Sequence, residues 1–402
     1  MDSISQAVLG AAIGEVVLGK KLGNKAMFWG ALGGTIPDLD VITSPLLSEI
    51  DALVFHRGFS HSIFFAVVGG GTFGWLIHQL YNSSYYKNIF RLFQSLFISA
   101  IPISIAYFLL GQDDHKYYYS ALAIAIAFLI YYFIQQKQAS KPVEQLENPS
   151  LRKWQWMFFL AFLTHALLDC FTMYGTQLFL PFSDYRVAFS TIAVADPLGY
   201  TIPFLICLGI AMRFDKSNLT RQRWAWAGLL ISSFYLLFTA WHKQKVFKEF
   251  DRQLAAQNIS YDRHTLGPVI FSNLLWSITV ENEDQFYNGT YSIFDTSPIQ
   301  FLPIPKNHHL IADGKDDKTV QTLKWFSDDF YSILERPDGK IQFNDLRFGT
   351  FRQEGSIEDF IFRFHLTKEK EGQYVMQSAI GGPKDEGISS VFGDLLARIM
   401  GR

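Results

Sequence analysis

Apolar stretches crowd the first 241 residues of this 402-residue chain, and such stretches belong either in a lipid bilayer or in the interior of a helical bundle. They lie at 4–19, 26–36, 62–81, 92–111, 119–135, 154–173, 192–212 and 224–241. A full crossing needs about 20 residues, so the first two are short, Gly-rich helices that either cross or pack within the bundle. Composition supports the membrane reading. Apolar residues make up 49% of the chain against 18% charged, a balance richer in apolar groups than that of ordinary soluble proteins.

Average hydropathy is nevertheless only mildly positive, because the texture changes after Trp241. A short amphipathic run at 243–257 leads into alternating stretches such as Ser277-Ile278-Thr279-Val280 and Phe360-Ile361-Phe362-Arg363-Phe364, which read as strands. Pro337-Asp338-Gly339-Lys340 predicts a hairpin turn, and 391–400 a closing helix. The expected fold is an α-helical integral membrane protein of about six to eight membrane segments, residues 1–242, followed by a small β-rich α/β C-terminal domain, residues 243–402.

A formal net charge of −2 gives no reason to expect nucleic acid as a partner. Both cysteines, Cys170 and Cys207, fall in apolar stretches and read as small hydrophobes. The start Met1-Asp2-Ser3 lacks the basic region of a signal peptide. With eight crossings, one set of loops holds Lys20, Lys21, Lys25, Lys87, Arg91, Lys137, Lys141, Arg152, Lys153, Arg213, Lys216, Arg221 and Arg223, and the other only Arg57, Lys116 and Arg186. The positive-inside rule makes the first set cytoplasmic, so the 38–61 loop and the C-terminal domain are expected outside. Lys243, Lys245, Lys248 and Arg252 run against that assignment.

Between the apolar runs stand Pro37-Asp38-Leu39-Asp40 and His56-Arg57-Gly58-Phe59-Ser60-His61-Ser62. Two carboxylates and two imidazoles at a bilayer boundary are costly without partners, and one divalent cation satisfies all four. Asp38 and Asp40 follow a helix-ending proline; the same pattern also serves as a helix stop with a cap. His56 and His61 reach one centre if the chain between them turns tightly, and equally fit two interfacial histidines bonded to backbone. Arg57 suits developing anionic charge or a lipid headgroup.

A third group lies far along the chain. His165 and Asp169 stand at i and i+4 on one face of the 154–173 stretch, where ionisable residues point to function, although a self-satisfied His–Asp bond pinning two helices gives the same pattern. Asp196 is a further ligand candidate or a helix cap. Gln6 and Glu15, both in the first stretch, need interior partners, and of these two Glu15 is the better ligand type.

Taken together, the motifs at 37–40, 56–62 and 165–169 resemble the YdjM-type family of bacterial inner-membrane proteins, in its longer members. The resemblance covers roughly the first half of the chain. It implies a metal-dependent hydrolase whose divalent metal is held by Asp38, Asp40, His56, His61, His165 and Asp169. Gln6 stands where that family is expected to carry histidine, and Ser60 where threonine is usual. Mixed imidazole and carboxylate donors suit zinc better than Mg²⁺ or Ca²⁺. The reading that follows is hydrolysis of a phospholipid or other membrane-borne ester or phosphoester, with Asp40 or Asp169 as base and Arg57 as anion stabiliser, and membrane lipids as partners. Its rivals are a proton- or cation-coupled transporter and a non-catalytic membrane scaffold.

Overall fold

The computed structural model describes residues 1–83, 147–350, 360–369, 372–378 and 388–401, with isolated positions between 85 and 133. The stretches expected at 92–111 and 119–135 fall almost wholly outside these residues.

Glycine spacing shapes the first two helices. Helix α1 (Ser3–Leu22) and α2 (Asn24–Thr35) are joined at Gly23, whose φ of 57° is open to glycine. Gly10 and Gly14 of α1 face Gly30 and Gly34 of α2, so closely that a Cβ at any of the four would overlap the partner backbone. The pair runs antiparallel, which brings the start of α1 beside the end of α2. A second antiparallel pair forms from α4 (Ile63–Asn82) and α5 (Leu151–Asp169), where Gly70 and Gly74 admit the backbone of Phe159 and Gln155. Ser62 caps α4 by accepting from the Phe65 amide at 3.0 Å. Trp29, Trp154, Phe158 and Phe162 fill the space between the pairs.

The remaining bundle elements are α6 (Ile202–Ala211) and α7 (Leu219–Ala256). The expected crossing at 192–212 is not one continuous helix. Asp196 caps a π turn at Pro197–Thr201, accepting from the Gly199 amide at 3.0 Å and from the Tyr235 hydroxyl at 2.5 Å, and the α-helix begins only after it. Asp196 is therefore a cap. Among the described residues, α4 and α7 are the two helices long and apolar enough to cross a membrane. The expected crossings α1 and α5 instead carry polar side chains inward. Glu15 is fully buried and pairs with Arg221 of α7, Nε to Oε1 at 2.7 Å and a second nitrogen to Oε2 at 2.5 Å, which removes it from the candidate ligands.

Helix α7, at 38 residues about 57 Å long, outreaches a hydrocarbon core of about 30 Å. The amphipathic run expected after Trp241 is its continuation, and Val246, Phe250 and Leu254 there lie on one face against a β-sheet. That sheet is antiparallel in the order β1 (Arg263–Pro268), β2 (Leu275–Glu281), β3 (Gln285–Ser292), β4 (Phe301–Pro305). A second antiparallel sheet, β5 (Tyr331–Glu335), β6 (Ile341–Thr350), β7 (Phe360–Lys368), β8 (Tyr374–Ser378), packs on the first, with the Thr279 hydroxyl donating to Leu346 O at 2.7 Å. The predicted hairpin is β5–β6, with Gly339 at φ 75°. Helix α8 (Lys318–Phe326) covers the outer face of the second sheet together with Ile50 of the short α3 (Glu49–Phe55), and α9 (Ile388–Ile399) closes the chain. The helical and β-rich parts thus share one core through α3.

Because removing one partner leaves a buried charge uncompensated, Arg221→Ala should cost about 3–5 kcal/mol. Thermal unfolding of detergent-solubilised protein checks this. The double variant Glu15→Met with Arg221→Met should recover most of the loss.

Candidate metal centre

The two antiparallel pairs deliver four helix ends to one place. The end of α2 leads through Pro37 to Asp38, in a 3-10 segment spanning Pro37–Leu46; His61 sits in the 3-10 turn just before α4; His165 and Asp169 occupy the last turns of α5; and Gln6 lies in the first turns of α1. One donor atom from each of Asp38, His61, His165 and Asp169 lies within 4.8 Å of all the others. His61, His165 and Asp169 are fully buried, and Asp38 is the member that reaches the surface.

Local hydrogen bonds fix which nitrogens face inward. Pro37 lacks an N–H and stops α2, leaving its last carbonyls free, and His165 Nδ1 donates to Gly34 O at 2.7 Å. A neutral His165 ring then carries a lone pair on Nε2. His61 Nδ1 lies 3.0 Å from Ser60 Oγ, and the Ser60 hydroxyl donates to Asp40 Oδ2 at 3.3 Å, so His61 also turns its Nε2 lone pair inward. The two Nε2 atoms stand 3.0 Å apart. Two lone pairs facing at that distance in a dry interior repel unless a proton or a cation lies between them.

The carboxylates complete the set. Asp38 Oδ1 is 3.5 Å from His61 Nε2 and 3.4 Å from His165 Nε2, and Asp169 Oδ2 is 3.4 Å and 3.7 Å from the same two atoms. Asp169 Oδ2 is buried with no hydrogen-bond donor among the described residues, whereas Oδ1 accepts from Gln6 Nε2 at 3.0 Å and contacts the Met1 α-ammonium group. Burial works to raise the Asp38 carboxyl, but the facing His165 and His61 rings hold it well below the usual carboxylate range. Burial pushes the His61 imidazole below its ordinary value, favouring the neutral ring that ligation requires. Two imidazole nitrogens and two carboxylate oxygens, each backed by a second hydrogen bond or ion pair, fit a divalent ion.

Asp40 and His56 are placed beside this group rather than within it. His56 Nδ1 meets Asp40 Oδ1 at 3.1 Å, and the other Asp40 oxygen accepts from the Arg57 amide at 3.1 Å as well as from Ser60. Asp40 therefore stands behind His61, and the His56 ring, about a third exposed, faces outward against Tyr174. Arg57 takes a left-handed φ of 58° that turns its side chain inward. Its Nε lies 3.4 Å from Asp169 Oδ2, a terminal nitrogen donates to Thr172 Oγ1 at 2.6 Å, and the guanidinium sits 4.8 Å from the centre of the Tyr174 ring.

Sequence reasoning missed Thr172 and Tyr174 as members of the site; Thr172, three residues beyond Asp169, carried the available signal of helical spacing. Tyr174 also packs on Phe326, and Arg186 donates to Trp325 O at 3.1 Å, so the C-terminal domain roofs this end of the bundle.

With this geometry, the sequence profile described as YdjM inner membrane protein matches residues 1–246. The chain belongs to that family. The profile ends inside the extension of α7, so the YdjM part supplies every residue of the four-member group and the β-rich domain lies outside it. The chain is also similar to the uncharacterized protein YfhP of Bacillus subtilis (strain 168), 24% identical over 213 residues, which make up 49% of this chain and 59% of that protein. No solved structure matches.

The pH dependence follows from His61 and Asp38. The unfolded chain binds more protons than the folded one below the ordinary imidazole value of 6.5, and again near the ordinary carboxylate value of 3.8, so stability falls as pH falls. Chelator-treated protein should lose melting temperature as pH drops below about 6.5, and His61→Gln should flatten the first part of that loss.

Proposed function

We propose that this YdjM-family protein is a membrane-bound, metal-dependent hydrolase, with a divalent ion, zinc by donor type, held by Asp38, His61, His165 and Asp169. The observation that carries the reading is the pair of imidazole Nε2 atoms facing each other at 3.0 Å beside the undonated Asp169 Oδ2. When bound, such an ion supplies Lewis acidity and activates water near neutral pH.

The chain's own residues divide the remaining work. Asp40 orients His61 through Ser60 and holds the His56 ring, so that the Asp40–His56 pair serves as proton acceptor and relay at the outer edge of the site. Asp169 acts as a ligand, since one oxygen is already engaged by Gln6 and Met1. Arg57 lies behind the group and offsets anionic charge that develops there. Around Asp38 the surface is apolar, with Leu39, Val41, Ile42, Phe59, Ile63 and Phe64 exposed next to a helix able to cross the membrane. That setting favours a membrane-borne ester or phosphoester, a phospholipid among them. Transport is the weaker reading, because aromatic side chains fill the bundle beneath the site and Glu15 is neutralised by Arg221.

Purified without chelator, the protein should hold about one divalent transition metal per chain. His61→Ala and His165→Ala should lower that content roughly tenfold or more at limiting metal. His56→Ala and His242→Ala should retain it. Elemental analysis decides the matter, and metal-free protein from every preparation would leave the scaffold reading in its place.

We further place the site and the C-terminal domain outside the cytoplasm of a multi-pass protein, on the positive-inside argument. A cysteine at Asp338 should react with a membrane-impermeant thiol reagent in intact cells, and one at Ser140 only after the membrane is opened. The reverse pattern moves the site to the cytoplasmic face.

A further inference from the structure

The β-rich domain carries an exposed apolar edge that none of its own core requires. Ile270, Leu274, Ile293, Phe294, Leu396 and Met400 are all exposed. Backbone contacts make them one continuous edge: Ile293 N donates to Leu274 O at 3.0 Å, Gly401 abuts Phe294, and Leu396 and Met400 share one face of the closing helix, with Met400 N donating to Leu396 O at 3.1 Å.

Its level relative to the bilayer is set by α7. Phe234, Leu237, Phe238 and Trp241 are exposed at i, i+3, i+4 and i+7, a lipid-facing stripe. Lys245 lies over the Trp241 ring at 5.6 Å, an aromatic residue followed by a cation as at a membrane–water interface. The next residue after that tryptophan, His242, bonds Asn273 Oδ1 at 2.7 Å, while Asn273 Nδ2 donates to Thr191 O at 2.8 Å and Phe271 N to Ala195 O at 2.9 Å. The loop between Ile270 and Leu274 is therefore tied to the helical domain at the height of the tryptophan. Beyond it, Lys248 continues on the exposed face of α7, while Arg252 is paired there with Glu249 at 2.6 Å, so Lys245 and Lys248 are the cations suited to anionic headgroups.

We propose that the β-rich domain rests on the bilayer that α7 crosses, with this edge dipping into the headgroup region and the basic turns of α7 meeting anionic lipid. The occupant is lipid because the loop that carries Ile270 and Leu274 is tied to α7 beside Trp241, at the end of its lipid-facing stripe, and the cations Lys245 and Lys248 follow on α7. This inference does not depend on a metal or on hydrolysis. It implies that the domain is held in one orientation over the site by two attachments, the α3 and Tyr174 contacts on one side and the membrane on the other.

The test uses the full chain in vesicles of phosphatidylcholine and phosphatidylglycerol, with Phe294→Cys carrying a nitrobenzoxadiazole label; Cys170 and Cys207 are buried and stay unlabelled. Phosphatidylcholine spin-labelled near the headgroup should quench this label roughly threefold or more above an Asp338→Cys label, and aqueous iodide correspondingly less. Met400→Cys repeats the measurement at an independent position should Phe294→Cys misfold. Equal iodide quenching at 294, 400 and 338 overturns the proposal. Shielding from iodide without quenching by lipid overturns it too, and assigns the edge to a second copy of the chain.

Discussion

The helical domain depends on four ionisable side chains converging on one largely buried centre. Asp38, His61, His165 and Asp169 each carry a desolvation cost of several kcal/mol if left alone, and no single helix can supply their partners. Their mutual approach therefore constrains where three helix ends lie, and Gln6 brings the start of α1 to the same place. The glycine-lined pairing of α1 with α2 and of α4 with α5 meets that constraint by letting two antiparallel pairs end at one level.

The layer behind these four residues explains why the site has a definite chemical state. Gly34 O and Ser60 fix the two imidazole tautomers, Gln6 and Arg57 hold Asp169 from opposite sides, and Asp40 supports His61 while binding His56. Buried polar networks of this kind gain from each added partner and lose from each missing one. The β-rich domain extends the layer, since Tyr174 touches both Arg57 and Phe326. Charge balance at the four-residue group and the seating of the β-rich domain are thus coupled through a few contacts at one end of the bundle.

At the other end, Glu15 and Arg221 form a pair with its own satisfaction: Arg221 also donates to Asn24 Oδ1 and Phe214 O, tying α1, α2 and α7 together. Two buried polar centres, one closed by protein alone and one with an undonated carboxylate oxygen, bracket an aromatic core. That contrast separates a closed ion pair from a candidate metal centre among residues that look equally costly in sequence.

The sequence by itself determined the two-part organisation, the strands and hairpin of the C-terminal domain, and the set of residues from which the site is drawn, because apolar runs, strand alternation and motif spacing are local. Tertiary structure alone decided the membership of the site. Asp40 and His56 lie two and five residues from Asp38 and His61, yet a 3-10 segment and a left-handed Arg57 turn them into a supporting pair, while Gln6 arrives from the remote first helix and Thr172 and Tyr174 from the turn just past Asp169. Glu15 and Asp196 were ligand types whose partners, Arg221 and the Gly199 amide with Tyr235, only folding brought into reach. Crossing number was illegible for the same reason: a helix spends apolar length on lipid or on its neighbours, and hydropathy along a chain does not say which.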